Sequence, residues 1–150
     1  MKAKDIMTRD MVTVNQDTPV RQVIAMLTQN RISGMPVLDD EECLLGIVTE
    51  KDLVDTAKEL HLPIIINILD AIVPVVGERQ YEEDLRKMTA VKVVDVMTAN
   101  PVTVDADTDM RKVATILSEQ VSFLPVVENN ELVGVITKQD VLKGMLAEDV

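Results

Sequence analysis

Aromatic side chains are nearly missing from this 150-residue chain, which has one Tyr (Tyr81), one Phe (Phe123) and no Trp. Branched aliphatics and nine Met must fill the core, so any small pocket will be walled by Val, Ile, Leu and Met. Cys43 is the only cysteine, which excludes an internal disulfide and a cysteine-based metal cluster. His61 is equally alone, so neither a His-paired nucleophile nor a His-rich zinc site can be assembled. No catalytic residue and no metal ligand is assigned, and an enzyme is not expected. Positive charge is also scarce, with 15 Lys and Arg against 26 Asp and Glu and a net charge of −11. That balance argues against nucleic acid, whose phosphates need clustered cations, and against acidic membrane surfaces. The longest apolar stretch, residues 62–77, contains Asn67, Asp70, Pro63 and Pro74 and falls short of the ~20 apolar residues of a membrane span. The opening MKAKDIMTRD is basic but has no apolar run behind it, unlike a signal peptide. A soluble, cytoplasmic protein is expected.

What the chain does have is an internal duplication. Asp5-Ile6-Met7-Thr8 recurs as Asp95-Val96-Met97-Thr98, and Val12-Thr13-Val14 recurs as Val102-Thr103-Val104, both at an offset of 90. The offset falls to 89 between Ser33-Gly34-Met35-Pro36-Val37 and Ser122-Phe123-Leu124-Pro125-Val126. It falls to 88 between Gly46-Ile47-Val48-Thr49 and Gly134-Val135-Ile136-Thr137. Both losses lie between elements, where a deletion costs little.

Each copy reads as β, α, β, β, α. Residues 12–14 form a short β-like segment, and Asp17-Thr18-Pro19 is a helix-start signal, with Thr or Asp capping and Pro in the first helical position. Val20, Val23, Ile24 and Leu27 follow at i, i+3, i+4 and i+7, and Met110, Val113, Ala114 and Leu117 repeat that stripe. Two apolar runs of strand length come next, joined by acidic turns at 39–42 and 128–131, and a second helix starts at about Thr49 and Thr137. The expected fold is α/β (strictly α+β), divided into unit 1 (residues 1–58), an insertion (59–92) and unit 2 (93–150). Within the insertion, residues 79–90 are predicted helical with Tyr81, Leu85 and Met88 on one face. Residues 62–76, bracketed by prolines, are predicted to form a short buried segment or an oligomer contact.

Chemistry concentrates where strand meets helix, at Thr49-Glu50-Lys51-Asp52 and Thr137-Lys138-Gln139-Asp140. A Thr followed three residues later by an acid fits a capping box. On that reading the carboxylate contributes about 0.3–1 kcal/mol. A helix N-terminus with free amides and a hydroxyl also suits a phosphate, and a carboxylate one turn in can accept from a vicinal diol. Both readings fit.

The series "DIMT…VTV…DT…SGMPVLDD…LLGIVTEKDL", repeated as "DVMT…VTV…DT…VSFLPVVENNELVGVITKQDV", resembles a tandem pair of cystathionine-β-synthase (CBS) domains, a Bateman module. The resemblance covers about residues 3–58 and 93–147. It implies two βαββα units packed through their sheets about a pseudo-twofold axis, leaving two clefts. It also implies a regulatory module whose clefts take adenosine-containing ligands such as AMP, ADP, ATP, S-adenosylmethionine or NAD-type molecules, with no required cofactor. The family's Gly-hydrophobe-x-Thr-x-x-Asp pattern, Thr for a phosphate and Asp for ribose hydroxyls, is intact at Gly46/Thr49/Asp52 and Gly134/Thr137/Asp140.

Carried over residue by residue, the resemblance sets Thr137 and Asp140 opposite Thr8, Thr13, Ile32, Ser33 and Gly34. It sets Thr49 and Asp52 opposite Thr98, Thr103, Val121, Ser122 and Phe123, where Phe123 either stacks on a base or fills the cleft. The family's polyphosphate sites often carry His or Arg just before the Pro, whereas Gly34-Met35 and Phe123-Leu124 stand here. Lys4, Arg31, Lys51 and Lys138 remain, but such side chains default to solvent. A weakly charged or single-phosphate ligand is therefore expected. A homodimer of modules is expected as well, with an effector protein acting in trans. The alternative is an interaction scaffold whose clefts are vestigial. A hydrolase built on Asp52 or Asp140 lacks a nucleophile, a glycine-rich loop and a metal cluster.

Overall fold

The computed structural model describes residues 1–59 and 91–148. The apolar segment 62–76 and the helix predicted at 79–90 lie outside the described residues. The first repeat contains α1 (Ala3–Ile6), β1 (Val14–Asn15), α2 (Val20–Asn30), β2 (Gly34–Leu38), β3 (Leu44–Thr49) and α3 (Glu50–Glu59). The second contains α4 (Val93–Val96), β4 (Thr98–Ala99), β5 (Val104–Asp105), α5 (Met110–Glu119), β6 (Phe123–Glu128), β7 (Glu131–Thr137) and α6 (Lys138–Glu148). The βαββα order holds twice, each time preceded by a single-turn helix that sequence periodicity cannot reveal at four residues. These turns are held locally: Asp5 accepts from the Lys2 amide at 2.8 Å and Asp95 from the Lys92 amide at 3.3 Å.

In the first half β1 runs parallel to β2, and β2 and β3 form an antiparallel hairpin; in the second β5 runs parallel to β6, and β6 and β7 form the hairpin. The hairpin turns differ. In the first, Asp39 Oδ1 accepts from the Glu41 and Cys43 amides, both at 2.9 Å, and fixes the acidic turn. The second uses Asn129 and Asn130 at φ 53° and 65°, the two-residue left-handed turn for which Asn is suited.

The helix stripes face the cores, with Ile24, Met110 and Ala114 half-buried and Ile116, outside the predicted stripe, buried beside Val113 and Leu117. Val20, Val23 and Leu27 of α2 join Val14, Met35, Val37, Val48 and Leu53 in one core. Val113, Ile116 and Leu117 of α5 join Val104, Leu124, Val126 and Ile136 in the other. The helix start departs from expectation. The N-cap of α2 is Pro19, without a side-chain cap, because the Val20 amide finds the Val91 carbonyl at 2.9 Å. In α5 the cap is Asp109, which accepts from the Arg111 amide at 2.8 Å.

The halves are interlocked by their leading segments. β4 pairs antiparallel with β3 of the other half, setting Ala99 opposite Gly46 and Thr98 opposite Ile47. Reciprocally, Thr8 bridges to Val135 of β7. Ala3 and Ile6 are buried in the second half's core, and Val93 in the first half's. Salt bridges repeat the exchange: Lys92 to Asp17 at 3.2 Å, Lys2 to Asp107 at 3.6 Å, and Lys4 to Asp107 at 3.0 Å. Between the sheets, Ile47, Phe123 and Val135 pack together with Met11 against them. The two units thus meet through their sheets about an approximate twofold axis.

Candidate functional site

Crossing of the leading segments creates the site. β7 runs directly into α6, so Thr137 ends the strand and Asp140 lies in the first helical turn. Asp140 Oδ2 accepts from the Thr137 amide at 2.9 Å and from Thr137 Oγ1 at 3.3 Å. Its other oxygen accepts from Thr8 Oγ1 of the opposite repeat at 2.9 Å. The arrangement recurs at β3 and α3. Asp52 Oδ2 accepts from the Thr49 amide at 2.9 Å and from its hydroxyl at 3.0 Å, while Asp52 Oδ1 accepts from Thr98 Oγ1 at 3.0 Å. The capping reading is therefore realised in both copies, and each carboxylate additionally ties down the other repeat's leading segment.

The glycine of each motif serves the same crossing. A Cβ at Gly46 would run into the Thr98 carbonyl oxygen and sit 2.9 Å from Met97 Sδ. At Gly134 it would meet the Met7 side chain, with Sδ at 2.6 Å.

Beside Asp140 opens a cleft of about 450 Å³. Thr8, Ile32, Ser33 and Gly34 line it from the first repeat and Thr137 and Asp140 from the second. Two expected placements differ. Thr13 lies instead in a separate hollow with Asn15, Asp39, Asp40 and Glu42, at the acidic hairpin end of β1 and β2. Phe123, expected beside Asp52, lines the Asp140 cleft, because Gly34 leaves open the space its ring occupies. Of the residues expected at the second cleft, Thr49, Asp52 and Thr98 come together. Val121 packs against the second half's core, and Thr103 and Ser122 are exposed.

Several lining residues were not anticipated, among them Asp10, Met11, Val12, Glu50, Gln139 and Lys143. Lys143 carried a usable signal, since it follows Asp140 by one helical turn and shares its face. The cleft lining holds two cations, Arg31 and Lys143, against the carboxylates of Asp10, Glu50 and Asp140. The other cations named from the sequence are engaged elsewhere. Lys4 pairs with Asp107 and Lys51 with Asp55 at 2.7 Å, and Lys138 lines a hollow between α5 and α6. Among the described residues no cluster of three or more His, Cys, Asp or Glu side chains is placed to hold a metal ion. Among the same residues no helix is long and apolar enough to cross a membrane.

Two interlocked βαββα repeats, with a ligand-sized cleft at their crossing, define a paired-repeat module. The family model of the CBS domain matches residues 3–59 and 93–147, and the chain belongs to the CBS domain family as a tandem pair. An uncharacterized protein of Methanocaldococcus jannaschii is 30% identical over 97% of this chain and 92% of its own length. The Arabidopsis thaliana CBS-pair protein CBSX2, solved in complex with AMP, superposes with a TM-score of 0.75 at 25% identity, covering 99% of this chain and 98% of that one. A CBS-domain protein of Agrobacterium tumefaciens superposes with a TM-score of 0.73 at 25% identity over 97% and 99% of the two chains.

Proposed function

We propose that this chain is a non-enzymatic regulatory module that senses an adenosine-containing ligand in the cleft that Thr8 and Asp140 line. The observation that carries this reading is the Thr137–Asp140–Thr8 cluster, which opens on a cleft that also has an apolar wall of Met11, Val12, Ile32 and Phe123. A flat base suits that wall. Asp140, with lone pairs left over from its present hydrogen bonds, suits ribose hydroxyls. The AMP complex of CBSX2 supports the same ligand class. Two cations against three carboxylates disfavour a triphosphate and favour AMP, adenosine or S-adenosylmethionine.

Signalling would pass through Thr8, since anything that competes for Asp140 alters how the leading segment is held. A homodimer carrying that change to a partner protein in trans completes the proposal. Isothermal titration against adenosine, AMP, ADP, ATP and S-adenosylmethionine tests it. Binding of an adenosyl ligand with one phosphate or none, weakened by Asp140→Asn, is the expected result. No heat with any of the five at millimolar ligand would reject the sensing role and leave the scaffold reading.

A further inference from the structure

Gly34 and Phe123 hold equivalent places in the two repeats. Each begins the second strand of its unit, and each pairs with the motif threonine, Gly34 with Thr49 and Phe123 with Thr137. Across the approximate twofold axis they face one another. The Phe123 ring lies 3.0 Å from the point where a Cβ on Gly34 would stand, and Phe123 is only 3% exposed. Two phenyl rings could not share that space, and two glycines would leave a void between Ile47 and Val135. One ring and one glycine fill it, at the cost of the symmetry.

We infer that this pair makes the Asp140 and Asp52 sites unequal and that Phe123 is the specificity-determining wall of the Asp140 cleft. Its ring reaches the cleft that holds Thr8, Gly34 and Asp140. By the repeat, the residue that would play the same part for Asp52 is Gly34, which has no side chain to offer. An aromatic ring gains from contact with another π system in an offset or edge-to-face arrangement. The Phe123 ring therefore suits a purine lying against it, a contact that an aliphatic side chain cannot match. This rests on the adenosyl-ligand reading above and adds to it a stoichiometry of one ligand per chain and a residue that selects flat, π-faced ligands.

Titration calorimetry with AMP as the probe tests it on three full-length proteins. The parent is expected to bind one AMP per chain. Phe123→Leu keeps the centre apolar and filled, and is expected to bind about three- to tenfold more weakly, the loss of one aromatic contact. Gly34→Ala places a methyl against the ring and pushes it toward the cleft, and is expected to weaken AMP as well, while thermal melting shows both variants folded. Two equal AMP sites per chain in the parent would overturn the inference, as would Phe123→Leu binding AMP as the parent does. In both cases AMP still binds, so the adenosyl reading survives. If the parent binds no AMP, the inference falls, and the adenosyl reading falls with it only where adenosine, ADP, ATP and S-adenosylmethionine fail to bind as well.

Discussion

Thr8 and Asp140, 132 residues apart in sequence, share a 2.9 Å hydrogen bond, and Asp140 is 9% exposed. One carboxylate thus caps α6 and also fastens the leading segment of the other repeat. A first-turn carboxylate acting only on its helix contributes about 0.3–1 kcal/mol. A hydrogen bond to a charged group contributes about 1.5–3 kcal/mol, reduced here because Thr8 is exposed. Thr8→Val is expected to destabilise the ligand-free protein by about 1–2 kcal/mol. Asp140→Ala should cost more, since the Thr137 amide then loses its acceptor too. Urea denaturation measures both, and changes below about 0.5 kcal/mol in each would reduce Asp140 to a simple cap.

The motif glycines offer a sharper contrast. At Gly46 an added methyl meets backbone, the Thr98 carbonyl, on a strand paired to its own. At Gly134 it meets the end of the flexible Met7 side chain. Overpacking costs about 1–3 kcal/mol, and the rigid obstacle takes the upper end. Gly46→Ala is expected to destabilise more than Gly134→Ala, by at least about 1 kcal/mol in matched denaturant titrations. Equal losses would mean that β4 is free to retreat.

Acid should loosen the α1 clasp. The Lys4 ammonium, by hydrogen bond and then by charge, holds the Asp107 carboxyl below its ordinary value, with Lys2 adding to the effect. The stability this adds is present above the ordinary carboxylate pKa and disappears as pH falls through the lowered value in the folded state. Lys4 is shifted the other way, upward, by the same partner, so its share persists until pH rises through that raised value. Asp107→Asn is expected to lower the melting temperature slightly at neutral pH and low salt. The difference from the parent should vanish once pH falls below the lowered value of Asp107 and shrink in roughly 1 M salt. A difference that survives both conditions would point to packing rather than charge.

The duplication, the two helix stripes and the hairpins were legible because each is a local pattern: an offset, a 3.6-residue period, an apolar run with a turn. The Thr–Asp motifs were legible for the same reason. The crossing of the leading segments was not, since β4 and the Thr8 bridge are too short to show a period and their partners lie in the other repeat. The unaided start of α2 was hidden likewise, because its first amide is satisfied by Val91 and not by a side chain nearby. Phe123 was misplaced because the direction of its ring depends on the missing side chain of Gly34 across the axis. A repeat alignment pairs these two positions and says nothing of their contact.

Among the described residues, the last helices of the two units carry the most exposed of the large apolar side chains. Val54 on α3 and Leu142 on α6 occupy equivalent repeat positions and are 63% and 53% exposed; Met145 and Leu146 of α6 are 52% and 70% exposed. Scattered singly, such residues need no explanation, but these are grouped on the terminal helix of each unit. A second copy meeting them about a twofold axis would set four units side by side and cover all of these side chains at once. The groove between α5 and α6, lined by Leu117, Val141 and Leu142, would accept a partner's side chain. Light scattering at micromolar concentration is therefore expected to give twice the chain mass. A charge at Leu142 would be buried unpaired in that contact, at a cost of several kcal/mol. Leu142→Glu, and more so Leu142→Glu with Leu146→Glu, should yield a folded monomer with an unchanged circular dichroism spectrum. A parent that is already monomeric, or a dimer indifferent to both charges, would remove these helices from any assembly.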